Sequence, residues 1–375
     1  MCISTVCYHC VENESLKEFI KRNANYKYCE SCGRKSNRNI AISFEDFAEN
    51  IDESLKSEFI DPGDLLASDD EDGWDNCIDS SDMFIDDIAD IQSNSDTLSE
   101  ALKDYFIDRQ WIRESDYYPT YSDSLLLSWN YYADIVKTKW RYTFFFEKPS
   151  EYEPSMLDAQ NTFDEIWKLI KSNDLIIELK KGTVVYRSRV HYKKEMIKQA
   201  KDIGTPLSKY VKSGSRLSPI GIPLFYGSFD KATAVAEMKK DKRKKFYSIG
   251  KFVTVKSINV IDLSNYLGEP GYFSDDKKNI EPVKFLNEFI DLISKPIDDE
   301  IDFLEYIPTQ VFTEYLRHMA KSNDNIKGII YKSSKSDTNN IALFYQNSEC
   351  RDKAGSASKD DYLLLVSIEK CIPIS

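Results

Sequence analysis

Two Cys-x2-Cys pairs, Cys7 with Cys10 and Cys29 with Cys32, stand eighteen residues apart near the start of the chain. Each pair makes a tight knuckle, and Gly33 suits the backbone turn after the second. Four soft thiolates at this spacing close a tetrahedral coordination sphere and leave no open position for a reactive water. The expected occupant is a structural zinc ion. A redox role is the competing reading, weakened because a Cys-x-x-Cys redox motif ordinarily occurs once, at a helix N-terminus. His9 lies inside the first knuckle and is the weaker alternative to a cysteine ligand. Cys2, Cys77, Cys350 and Cys371 show no ligand spacing and read as ordinary unpaired cysteines.

A second set of reactive groups lies in the C-terminal half. The run VVYRSR puts Tyr186 and Arg187 at the expected C-terminal end of a strand. In GSRLSPIGIPLFYGSFDKATAVAEM, Arg216 adjoins a Pro219-Ile220-Gly221 turn, Tyr226 closes the next strand, and Glu237 falls within the helix that follows. GIIYKSSKSDTNNIALF reads as a strand, a loop rich in hydroxyls and amides, and a second strand, with Ser333 and Asn340 flanking the loop. Taken singly, each has an ordinary reading: a strand-end arginine is usually a surface ion pair, and a mid-helix glutamate is usually exposed. The residues KATAVA before Glu237 are small and apolar, however, which suits a helix packed closely on a sheet. Together the groups suit a substrate that is anionic at one end and carries a flat ring at the other. Two arginines can fork onto a pyrophosphate. Tyrosines offer a stacking face. A carboxylate can hold ribose hydroxyls and oppose the positive charge on a sugar as a glycosidic bond breaks. NAD has all three features. With no Gly-x-Gly-x-x-Gly and no Walker lysine in this stretch, the expected chemistry consumes NAD as a substrate and does not use it for hydride transfer.

These groups need elements to hold them, and the composition allows for those. The chain has 375 residues, 41% of them apolar and 13% aromatic, enough for more than one packed domain. No stretch approaches the roughly 18 apolar residues of a membrane span. The start MCISTVCYHC has neither a basic nor an apolar leader region, so a cytoplasmic location is expected. The net charge of −13 has a local origin: from Ser57 to Leu102 there are 15 acidic residues and no Lys or Arg. Outside that segment the charge is near balance, so −13 does not describe the whole surface.

Four regions separate along the chain. Residues 1–45 form the four-cysteine module. Residues 46–98 hold the acidic run, read as a solvated linker, with a docking surface as the alternative. Residues 99–180 look helical: LLLSWNYYADIVKTKWRYTFFFEKP begins at helical spacing, with Phe144 to Phe146 expected as a buried turn or strand. A second amphipathic helix carries Phe163, Ile166, Trp167 and Ile170 on one stripe, read as core and not as a stacking surface. Residues 181–375 shift to mixed α/β, with TVVYRSR, PLFYG, FVTVKSINVIDL, GIIYKSS and IALFYQ as strands and KATAVAEMKK and TQVFTEYLRHMAK as helices.

YRSR, GSRLSPIGIPLFYGSFDKATAVAEM, YIPTQVFTEYLRH and GIIYKSSKSDTNNIALF occur in this order over roughly residues 181–350. In this they resemble the RES family, named for its Arg, Glu and Ser and found in toxins of bacterial toxin–antitoxin modules. The cysteine knuckles and the helical segment with KWRYTFFF resemble the HEPN-like region that accompanies some RES domains. The resemblance implies a multi-domain protein: a zinc module and helical region, then an α/β domain similar to ADP-ribosyltransferase toxins. It implies an enzyme that cleaves the nicotinamide–ribose bond of NAD, with phosphate or water as acceptor. Carried over by motif, Arg187 and Arg216 would bind the diphosphate, and Tyr186 and Tyr226 would frame the nicotinamide riboside. Glu237 would stabilise the oxocarbenium-like transition state, Ser333 would complete the site and Asn340 would support it. Ser334 is the alternative to Ser333, chosen against because Ser333 stands two residues after Tyr331. Arg-Leu-Ser-Pro at 216–219 replaces the Arg-Trp-Asn-Pro of many relatives, which removes an aromatic neighbour but keeps the charge.

HEPN ribonucleases use an Arg followed closely by a His, and the chain's three histidines (His9, His191, His318) all fall outside the helical region. That region is therefore expected to be a scaffold or sensor. The leading function is an NAD phosphorylase or glycohydrolase acting as a toxin or defence effector, with an antitoxin or activating partner. One alternative is a mono-ADP-ribosyltransferase modifying a protein or nucleic acid. Another is a non-enzymatic adaptor built on the zinc knuckles, which the presence of both arginines and the glutamate argues against.

Overall fold

The N-terminal elements follow from short capping signals and apolar stripes. In this computed structural model, residues 3–56, 58–62, 78–79, 94–107, 110–150, 155–194, 196–238, 245–271, 273–274, 279–295, 303–322, 325–353 and 362–374 are described. They fall into two compact units, one of residues 1–123 with 268–284 and one of 124–267 with 285–375.

In the first unit, strand β1 (Thr5–Cys7) leads to helix α1 (Glu14–Asn23), where the Asn13 side chain accepts from the Leu16 amide at 3.2 Å. Strand β2 (Ala41–Ser43) pairs antiparallel with β1 and runs straight into helix α2 (Phe44–Leu55), capped by the Ser43 hydroxyl. Such caps satisfy first-turn amides that have no partner within the helix. Strands β3 (Phe59–Ile60), β4 (Ile78–Asp79) and β5 (Gln110–Arg113) form a small sheet in the order β3-β5-β4, and helix α3 spans Asp96–Tyr105. Leu16 and Ile20 of α1, Phe47, Ile51 and Leu55 of α2, and Leu98 and Leu102 of α3 share one core. Where composition places the start of the acidic linker, the structure has α2 with a buried face. Most of the acidic run, including Cys77, lies outside the described residues, as does Cys2.

The second unit is built on a nine-stranded sheet with helices of the middle and late chain on one face. In chain order its elements are α4 (Tyr121–Asp134), α5 (Ala159–Ser172), β6 (Ile176–Leu179), β7 (Val184–His191), α6 (Ala200–Ile203), β8 (Phe225–Ser228), α7 (Lys231–Ala236), β9 (Phe246–Thr254), β10 (Ile258–Leu263), α8 (Ile280–Ser294), α9 (Ile307–Ser322), β11 (Ile326–Lys332), β12 (Asn339–Leu343), β13 (Cys350–Asp352) and β14 (Leu363–Pro373). The strand order is β13-β14-β9-β7-β8-β12-β11-β10-β6, antiparallel except for β10/β11 and β13/β14. Alternation along β12 shows how the faces divide: Ala342 enters the helical core while Ile341 and Leu343 enter the opposite one.

The expected stripe Phe163, Ile166, Trp167 and Ile170 is buried against this sheet, as core. Trp129 of α4 sits at the centre of an aromatic cluster, with ring centroids 4.9 Å from Phe289 and 5.5 Å from Phe312. Four local expectations are corrected. Strand β7 continues past Arg187 to His191, because β9 pairs with it over all eight residues. FVTVKSINVIDL divides into β9 and β10. Phe144–Phe146 forms a single 3-10 turn whose Phe145 and Phe146 are exposed, at 49% and 74%. Helix α7 stops at Ala236, so Glu237 is its C-terminal cap and not a mid-helix residue.

Trp129→Ala should lower the stability of this unit by about 3 to 5 kcal/mol, since it opens a cavity among rings that cannot all move inward. Leu127→Ala on the same helix, where the side chain is 47% exposed, should stay within about 0.5 kcal/mol. Urea unfolding of both variants checks the difference.

Candidate functional site

Strands β7 and β8 share a single registered pair, Tyr186 with Ser228. Beyond it the Tyr226 carbonyl is bonded by the Arg187 guanidinium, whose Nη1 donates at 2.6 Å. A cavity of about 460 Å³ opens at this point, lined by Tyr186, Arg187, Arg216, Tyr226, Glu237 and Asn340 among others. That volume lies in the range of small-molecule sites.

The carboxylate is the most closely determined group. Helix α7 is started by the Asp230 side chain, which accepts from the Thr233 amide at 2.9 Å. These contacts from Thr233, hydroxyl first, hold the Asp230 carboxyl down to about 2. One and a half turns later the helix ends and Glu237 turns towards the loop between β11 and β12. There Ser333 Oγ donates to Glu237 Oε1 at 2.6 Å and Asn340 Nδ2 donates to the same oxygen at 2.8 Å. Asn340 is itself oriented by Ser228, whose hydroxyl donates to its Oδ1 at 2.6 Å. Neither bond uses Oε2 of Glu237. Ser334, the alternative to Ser333, lines the cavity wall but is not the serine bonded to Glu237.

The cavity's other groups are cationic and phenolic. Arg187 is held in the sheet with its guanidinium carbon 5.4 Å from the Phe225 ring centroid. Burial, reinforced by Arg189, lowers its pKa to about 10, so it remains charged at neutral pH. Its Nε is buried and has no hydrogen-bond partner among the described residues. Arg216 donates through Nη1 to the Ile293 carbonyl in the last turn of α8. The Tyr226 hydroxyl accepts from Ser215 at 2.7 Å and donates to Ser218 at 3.2 Å, which fixes the ring against the cavity. Burial raises the Tyr226 and Tyr331 phenols above their ordinary range, so both stay protonated.

Several lining groups were not singled out from sequence: Ser188, Arg189, Ser228, Tyr331, Lys332 and Lys335. Arg189 stands inside YRSR and strand alternation points to Ser188, whose buried Oγ is also unpartnered among the described residues. Ser228 had no signal, because its partner lies 112 residues away. Of the histidines, His191 is buried and bonded to the Ser248 hydroxyl at 2.9 Å, while His318 is exposed.

In the other unit, Cys7, Cys10, Cys29 and Cys32 bring their sulfurs within 4.8 Å of one another. Cys7 Sγ is 3.7 Å from Cys10 Sγ and 3.7 Å from Cys32 Sγ, and Cys10 Sγ is 3.6 Å from Cys29 Sγ. Disulfide sulfurs sit about 2.05 Å apart. A tetrahedron with metal–sulfur bonds of about 2.3 Å has an edge near 3.8 Å. The cluster could therefore hold a metal ion. Gly33 takes a φ of 70°, natural to glycine, just after the second knuckle. His9 packs on Tyr8 and is not part of the four-sulfur cluster. Asn94 donates its amide to the Cys10 carbonyl at 2.9 Å, and the Ser31 hydroxyl donates to that of Ser95 at 2.9 Å, so the knuckles are tied to the start of α3. No helix among the described residues is long and apolar enough to cross a membrane.

Comparison with known proteins gives two family matches. The HEPN/RES N-terminal domain 1 matches residues 22–150, and the RES domain matches residues 185–363. One chain of the crystal structure of the M. tuberculosis MbcT-MbcA toxin-antitoxin complex is similar at 11% identity and a TM-score of 0.29, over 55% of this chain and 91% of that one. No curated protein matches the chain. The chain thus carries a HEPN/RES N-terminal domain 1 followed by a RES domain, and every residue of the Glu237 network lies inside the RES match.

Proposed function

We propose that the RES domain of this protein cleaves the nicotinamide–ribose bond of NAD and, in the cell, acts as a toxin or defence effector by depleting it. The observation that carries this reading is the Glu237 carboxylate, held through one oxygen by Ser333 and Asn340 in a cavity lined by Arg187, Arg189, Arg216, Lys332 and Lys335. One carboxylate among five cations suits a polyanionic substrate whose reacting carbon becomes positive. The cations meet the diphosphate, and the rings of Tyr186 and Tyr226 flank the nicotinamide riboside.

In the reaction the C–N bond breaks and its electron pair leaves with nicotinamide, neutralising the pyridinium ring. Positive charge then spreads over the ribose C1 and ring oxygen. Oε2 of Glu237 opposes that charge, while Ser333 and Asn340 keep the carboxylate from rotating away. A lone pair of water or phosphate then bonds to C1, and the attacking group's proton passes to solvent. Transfer to a protein or nucleic acid would use the same cavity and differ only in this last step. Incubating the purified protein with NAD, with and without inorganic phosphate, and identifying products by mass spectrometry tests the reading. Free nicotinamide with ADP-ribose or its 1-phosphate supports it, and intact NAD under all conditions overturns it.

Glu237→Gln keeps size and shape but removes the charge opposing the sugar cation. It should cost roughly a hundred- to a thousandfold in kcat with little change in NAD affinity. Arg216→Ala should weaken NAD binding, because a phosphate contact acts in the ground state as well. Expressing the wild-type chain should deplete cellular NAD and stop growth, and Glu237→Gln should relieve both effects.

For the four-cysteine cluster the proposed ion is a single structural zinc. Elemental analysis of protein prepared without chelator should find one zinc per chain. Cys29→Ser should lose the ion and destabilise the N-terminal unit, since ion binding and folding of a small metal module are coupled.

A further inference from the structure

The motif YIPTQVFTEYLRH lies outside the cavity except for Tyr306, which lines it. Its next residues begin α9, and two of them reach across to the segment that carries Arg216. That segment is a tight turn: Ser215 and Ser218 form an isolated antiparallel bridge, with Ser215 N–H donating to the Ser218 carbonyl at 2.9 Å. Arg216 and Leu217 occupy its corner. Leu217 is buried in the helical core and anchors the turn from inside. The Ser215 and Ser218 hydroxyls, bonded to that of Tyr226, hold the ends of the turn, and these side-chain contacts leave the peptide planes at its corner free to tilt.

Two donors from α9 remove that freedom. Thr309 Oγ1 donates to the Arg216 carbonyl at 2.6 Å, and Gln310 Nε2 donates to the Ser215 carbonyl at 2.7 Å. The accepting carbonyls lie on either side of the Arg216 α-carbon. The approach is close: a Cβ on Gly214 would lie 2.9 Å from Gln310 Nε2, so a side chain there would push the amide aside. The start of α9 is fixed in turn by the Tyr132 hydroxyl of α4, which donates to the Pro308 carbonyl at 2.9 Å. Thr309 and Gln310 are both buried, so losing Thr309 takes the side-chain donor from the Arg216 carbonyl, and losing Gln310 leaves the Ser215 carbonyl with the longer bond from the Ser218 N–H at 3.3 Å.

We propose that Thr309 and Gln310 are positioning residues for Arg216, setting the approach of its guanidinium to a substrate phosphate by holding the two carbonyls beside it. This rests on the reading of the site as an NAD-cleaving one in which Arg216 contacts the diphosphate. Because that contact is made in the ground state, loosening it raises KM and leaves kcat nearly unchanged.

The test measures KM and kcat for NAD cleavage, and Kd for NAD by titration calorimetry, on the full chain. The variants are Gln310→Leu, Thr309→Val and Thr309→Ser, each alone and combined with Arg216→Ala. Gln310→Leu and Thr309→Val should raise KM and Kd about tenfold with kcat within about twofold, as expected for a slightly misplaced binding group. Thr309→Ser, which keeps the hydroxyl, should remain near wild type. In the Arg216→Ala background none of them should weaken binding further. If Gln310→Leu fails to fold, the Thr309→Val and Thr309→Ser pair carries the same test. Unchanged affinity in the α9 variants beside weakened affinity in Arg216→Ala overturns the proposal alone. So does an equal loss in both backgrounds, which marks a general structural role. Unchanged affinity in Arg216→Ala itself overturns the underlying assignment of Arg216, and the proposal with it.

Discussion

A carboxylate half-buried at the end of a helix beside a sheet cavity loses part of its water and is held by the hydrogen bonds that replace it. Among the described residues Glu237 is bonded through one oxygen, with Ser333 and Asn340 as donors and Ser228 orienting the amide. The surrounding architecture serves that arrangement. Strands β8 and β12 must be neighbours for Ser228 to face Asn340, and the Asn340–Ser228 register pair places them opposite each other. Helix α7 begins at the Asp230 cap, and Glu237 at its end lies where the β11–β12 loop reaches it.

The carboxylate also sets the meaning of the cations. Arg187 donates to a backbone carbonyl of β8, and Arg216 to a backbone carbonyl of α8, so neither is neutralised by Glu237. Their charge stays available to a ligand, and the unpartnered Nε of Arg187 shows that its bonding is incomplete among the described residues. A guanidinium that is buried, charged and only partly bonded is a costly feature unless an anion completes it. Buried phenols nearby remain protonated and add hydrogen-bonding capacity without adding charge.

The four-cysteine cluster solves a different problem in its own unit. Strands β1 and β2 are only three residues each, too short to hold the connections on either side of α1 by themselves. An ion held by the four sulfurs would cross-link these connections, and the bonds to Asn94 and Ser95 tie the knuckles to the start of α3.

Much of this was legible in the sequence, for identifiable reasons. The cysteine spacing determines a four-sulfur cluster because knuckle geometry is local. The stripe of Phe163, Ile166, Trp167 and Ile170 determines a buried helix because its period matches the helical turn. The order of Arg187, Arg216, Tyr226, Glu237, Ser333 and Asn340 was enough to nominate them as one site. What the sequence could not decide were matters of long-range register and termination. Strand β7 runs on through Arg189 and His191 because β9 offers a full ladder, which no local propensity reveals. The donors that orient Glu237 lie 96 and 103 residues away. The roles of Ser228, Thr309 and Gln310 are likewise set by partners 93 to 112 residues distant. Residue type and spacing nominated the groups of the candidate site. Only the packing of α7, α9 and the β11–β12 loop around the sheet decided which oxygen, which carbonyl and which hydroxyl take part, because those contacts exist only once distant segments are brought together.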